Sequence, residues 1–116
     1  MTPNRIRAIA SCAFFCAIGC GPPVPPPNNE WAAAQVDVGR AEARGAADVP
    51  DAKLHLQQAF EDLAKSKQAM GGDNKRATSL CNLARAEAQL ALSLAKKAAA
   101  QKDANEAENE ARGPRQ

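Results

Sequence analysis

The chain has 116 residues, with 15 Lys and Arg against 13 Asp and Glu and a formal charge of +2. Arg5 and Arg7 lie within the first 19 residues, and the remainder of the chain balances at 13 basic against 13 acidic. A neutral balance lacks the basic excess that phosphate binding requires, so nucleic acid is not an expected partner, and it argues against an electrostatic hold on anionic lipid.

The chain opens with a basic segment holding Arg5 and Arg7, then an apolar stretch over residues 8–18. Eleven residues are too few to cross a hydrocarbon core of ~30 Å as a helix, and suit the apolar region of a signal peptide. The stretch ends in Ala17-Ile18-Gly19-Cys20, followed by Gly21-Pro22-Pro23. Small residues ahead of a cysteine read as the processing box of a bacterial lipoprotein precursor. Cleavage between Gly19 and Cys20 is expected, removing residues 1–19 and leaving an acylated Cys20 as the mature N-terminus. Cys12 and Cys16 leave with the leader. Cys81 then has no partner in its own chain, and is expected to be buried or paired with another chain. Gly21 stands where aspartate commonly retains a lipoprotein in the inner membrane, so the expected location is the outer membrane facing the periplasm, in a host with two membranes.

Residues 20–29 hold the lipidated cysteine and a Pro-rich run, GPPVPPPNN, with five of the eight prolines. Such a run is extended and semi-rigid at ~3.1 Å per residue, so it is expected to lift the folded part clear of the headgroups by ~25–30 Å.

From residue 30 to 111 the composition is alanine-rich and helical, with Gly and Pro at the breaks. The first helix is expected over residues 30–44, with Trp31, Ala34, Val38, Ala41 and Gly45 on one stripe. Asp48 is the expected N-cap of a second helix over residues 49–70, with Pro50 in its first turn. Its apolar face is read as Leu56, Phe60, Leu63 and Met70, with Leu54 also in the core. Gly71-Gly72 stops it and Asp73 caps a third helix over residues 74–111. There Ala77, Cys81, Ala84, Ala88, Ala91, Ala95 and Ala98 form a small-residue stripe flanked by Leu80, Leu83, Leu90 and Leu94. Small seams allow helix axes to approach toward the lower end of ~8–10 Å. Residues 101–110 are polar with four acidic side chains that oppose the helix dipole, and are expected to fray. Residues 112–116 are read as a disordered tail. The fold class is therefore all-α: a small antiparallel bundle of two to three helices with a long C-terminal helix, after a signal peptide and tether.

Residues 46–54 (AADVPDAKL), then Ala59, Leu63, Met70-Gly71-Gly72-Asp73, Ala77, Leu83-Ala84, Glu87-Ala88 and Ala91, resemble the alanine-rich helical domain of unknown function found on bacterial lipoproteins, often beside an OmpA-like domain. The resemblance spans about residues 32–100. It implies an OmpA-like protein as the type of envelope partner, and no catalytic or ligand residue.

Little else suggests chemistry. His55 is the single histidine, and there is no Tyr and no Gly-rich phosphate loop. His55 is read as a solvated or half-buried structural residue, Glu87 as a boundary residue that reaches solvent, pairs with a base or fixes register, and Trp31 as a cap on the apolar end of the bundle. No enzyme activity, cofactor or metal is expected. The expected function is a lipid-anchored structural or adaptor lipoprotein of the cell envelope, attached through acyl chains on Cys20, with a monomer favoured. The alternative is a small helical binding module for a peptide or glycan in the periplasm.

Overall fold

A computed structural model describes residues 21–113. They form α1 (Asn28–Ala43), one 3-10 turn (Ala46–Asp48), α2 (Pro50–Ala69) and α3 (Asn74–Arg112), with no strand among them. α1 starts at Asn28, two residues ahead of the expected boundary, because Pro27 is itself the buried cap and its carbonyl accepts from the Trp31 N–H at 3.0 Å. Gly45 follows the last turn of α1, and its φ of 76° is left-handed and free of cost only for glycine.

Asp48 is not the cap of α2. Val49 takes that place with φ −104° and ψ 116°, and makes no side-chain cap bond. The cause is Pro50: a residue before proline is pushed into extended backbone, so the helix begins at the proline and Asp48 is left in the 3-10 turn. α2 stops as expected ahead of Gly71, at φ 86°. Asp73 caps α3 as expected, its carboxylate accepting from the Arg76 N–H at 3.0 Å.

α2 runs antiparallel to both neighbours. His55 near its start meets Glu87, Ser66 near its end meets Cys81, and Lys67 lies over Trp31 of α1. α1 and α3 run parallel, joined by Asp37 to Arg85 and Gln89. The result is a three-helix bundle.

Its core is built almost wholly of alanine. Among the described residues Ala34, Ala41, Ala46, Ala52, Ala59, Ala84, Ala88, Ala91 and Ala95 form one buried cluster with the larger Val38, Leu56 and Leu63, and Ala77 and Cys81 are buried beyond it. Leu54, Phe60, Leu83 and Leu90 are not core residues: they are 65, 45, 46 and 43% exposed. The alanine seam itself excludes them. Once small side chains bring the axes together, little room remains between them beyond that filled by Leu56 and Leu63, and the other long side chains lie along the flanks. Met70, Leu80 and Leu94 are half-buried.

α3 outlasts the bundle. α1 covers it as far as Lys96, beside Arg40, Ala43 and Arg44, and every residue from 99 to 113 is exposed. This segment does not fray as expected but stays helical to Arg112. Alanine supplies helix propensity there, and ion pairs at i,i+4 spacing, Lys102 with Glu106 at 3.8 Å and Glu108 with Arg112, offset the unfavourable acidic end.

Candidate functional site

The Pro-rich segment does not stand off as a free spacer. The Asn74 side chain fixes it to the turn between α2 and α3: Nδ2 donates to the Val24 carbonyl at 2.7 Å, and Oδ1 accepts from the Gly71 N–H at 2.8 Å. An amide carries a donor and an acceptor, and one residue thus joins tether, turn and helix start. Prolines favour the arrangement, since they restrict the unfolded chain and lower the entropy lost on docking. Residues 21–24 and residues 71–75 line one cleft of about 340 Å³. Gly21, the residue after Cys20, therefore lies on the same cleft as the α2–α3 turn. Around it Lys75 and Arg76 are exposed in the first turn of α3, a turn without an acidic residue.

His55 and Glu87, read separately from the sequence, form a pair. His55 Nδ1 lies 2.6 Å from Glu87 Oε2, with both side chains partly buried. Cys81 is buried, as one of its two expected states required, and its Sγ lies 2.9 Å from Ser66 Oγ. The histidine and the thiol thus belong to two different pairs, not to one nucleophile–base arrangement.

Two buried carboxylates escaped sequence reading. Asp37 accepts from Arg40 at 3.4 Å, Arg85 at 3.2 Å and Gln89 at 3.3 Å, tying α1 to α3. Asp62, 2% exposed, accepts from Gln58 at 3.3 Å with Lys65 at 4.0 Å, while its Oδ2 has no hydrogen-bond partner among the described residues. Both lie within the helical spacing of the apolar stripes, three residues after Ala34 and Ala59 and four before Ala41 and Ser66. A period search restricted to apolar residues passes over them.

Trp31 is half-buried between the start of α1 and the end of α2, with the Lys67 ammonium 5.2 Å from its ring centroid. Its Nε1 is buried without a partner among the described residues. Trp31, Val38, Phe60, Leu63 and Lys67 border an open cleft of about 300 Å³ between α1 and α2. Among the described residues no three His, Cys, Asp or Glu side chains converge as a metal site, and no helix is long and apolar enough to cross a membrane.

Gly19 and Cys20, the expected cleavage and lipidation residues, lie outside the described residues. No protein-family model, no curated protein and no solved structure matches the chain.

Proposed function

We propose that this chain is a non-catalytic lipoprotein of the bacterial cell envelope, anchored by acyl chains on Cys20, that presents a monomeric helical bundle to another envelope component. The box at residues 17–20 supports the anchor. The observation that carries the presenting role is that Gly21 shares a cleft with the α2–α3 turn, at the opposite end of α3 from its uncovered segment. In a lipoprotein so attached, residues 99–112 point away from the lipid, at ~1.5 Å rise per residue a projection of ~20 Å. The resemblance to the alanine-rich domain of bacterial lipoproteins favours an OmpA-like protein as the component met there, and Gly21 after the cysteine favours the outer membrane. Crosslinking from a photoreactive residue at Ala104 in intact envelopes, followed by mass spectrometry, tests the reading. One dominant envelope protein is the expected product; no product beyond the background at an exposed control such as Ala32 refutes it. The Cys20→Ser variant is expected to lose the acyl mass and remain unprocessed; a processed product of unchanged mass refutes the anchor.

The cleft between α1 and α2 favours a second reading, a module that binds a peptide through an apolar side chain resting on Trp31 and Phe60. Trp31 fluorescence titrated with peptide pools distinguishes it: saturable change supports binding at the cleft, and an unchanged spectrum rejects it.

A further inference from the structure

The neutral balance of the chain conceals a separation of charge along the bundle. At the α2–α3 end Lys67, Lys75 and Arg76 stand against Asp73, with Glu30 a second acid from the start of α1, while Lys65 is paired with Glu61 at 3.6 Å. At the far end, residues 101–112 carry Asp103, Glu106, Glu108 and Glu110 against Lys102 and Arg112. The two basic side chains nearest Gly21 are also in an unfavourable place for stability. Lys75 and Arg76 stand at the positive end of the α3 dipole, where a cation costs rather than gains energy, and only the capping Asp73 opposes them. Both are exposed, and neither forms an ion pair among the described residues. Residues 71–75 share their cleft with residues 21–24.

We propose that the α2–α3 end of the bundle, with Lys75 and Arg76 at its edge, rests directly on an anionic phospholipid surface. The proposal rests on the lipoprotein reading, because acylated Cys20 is what brings this end to the bilayer. The Asn74 bonds to Val24 and Gly71 leave three residues, 21–23, between the anchor and the clasp, a lead of at most ~11 Å, about one Debye length. Acyl chains hold the protein at the surface, and the basic end sets its orientation. Each cation near an anionic leaflet raises occupancy of the contact about fivefold, within a Debye length of the surface. The acidic far end is repelled by the same surface, so both ends favour an upright bundle.

The test uses the processed, acylated protein in vesicles of phosphatidylcholine alone and of an equimolar mixture of phosphatidylcholine and phosphatidylglycerol. Amide exchange is followed at residues 71–76 and 101–112. Exchange at 71–76 is expected to slow by about fivefold or more on the anionic vesicles, with 101–112 unchanged. The double variant Lys75→Glu with Arg76→Glu is expected to abolish that difference, and so is salt at ~1 M, which screens within ~3 Å. Salt requires no variant to fold. Equal exchange on the two vesicle types, or a difference that survives both charge reversal and high salt, overturns the proposal. Intact mass reports acylation separately: an acylated chain with equal exchange overturns the surface contact alone, whereas a chain without acyl groups overturns both readings.

Discussion

His55 of α2 and Glu87 of α3 stand with Nδ1 and Oε2 2.6 Å apart, and they fix how far one helix slides along the other. An alanine seam gives little register information, because one small side chain replaces the next after a shift of three or four residues. A directional hydrogen bond at the edge of the seam does not tolerate such a shift. His55→Ala and Glu87→Ala are each expected to lower stability by about 0.5–1.5 kcal/mol. The double variant is expected to lose less than the sum, by about 0.5 kcal/mol or more. Urea unfolding of the four proteins of the cycle measures this; strict additivity means that the pair does not couple the helices.

Substitution at the seam is expected to do more harm than substitution at the large apolar residues. Ala88 is fully buried where α2 and α3 approach, and Ala88→Leu has no space to fill. A loss of about 1–3 kcal/mol is expected from forcing the axes apart. Leu83→Asp, on the exposed flank, is expected to stay within about 0.5 kcal/mol of the parent. Thermal melts followed by circular dichroism rank the two, and the reverse order contradicts the assigned core.

Asn74→Ala removes both bonds of the clasp at once. The Gly71 N–H and the Val24 carbonyl are then left to solvent, and a loss of about 1 kcal/mol is expected. Amide exchange at Gly71 is expected to accelerate while exchange in the middle of α3 is unchanged. Unaltered exchange at Gly71 means that the tether is held by other contacts.

Cys81 is fully buried beside Ser66, so the native protein is expected to resist a thiol reagent. Its modification rate in a urea series is expected to follow the unfolded fraction. Rapid reaction without denaturant shows that α2 and α3 separate locally.

Removal of residues 101–116 is expected to leave the melting midpoint of the bundle unchanged, since residues 101–113 are exposed. Helical ellipticity is expected to fall roughly in proportion to the twelve helical residues removed. A lower midpoint shows that the projecting segment contributes to the packed part.

Local signals in the sequence were legible because they act within a few residues. The Gly71-Gly72 stop, the Asp73 cap and the spacing of Ala77, Cys81, Ala84, Ala88, Ala91 and Ala95 all appear where reading residue by residue puts them. Leu56 and Leu63 are buried as read, whereas Leu54, Phe60, Leu83 and Leu90 misled, because burial follows the closest approach of two axes, not the size of a side chain. Asp48 misled because the restriction that Pro50 places on Val49 outweighs the capping preference of a nearby Asp. The clasp by Asn74 and the pairing of His55 with Glu87 join residues 50 and 32 positions apart, and periodicity carries no information at that range.

A core of nine alanines and three larger side chains has a calorimetric consequence. The heat-capacity change on unfolding arises mainly from apolar area newly exposed to water, ordinarily ~12–15 cal/mol/K per residue. Alanine contributes little such area, while the helices expose many peptide groups whose hydration acts in the opposite sense. This bundle is therefore expected to unfold with a small heat-capacity increment and a flat stability curve. Its stability then changes little between cold and warm conditions, and cold denaturation lies far below the freezing point of water.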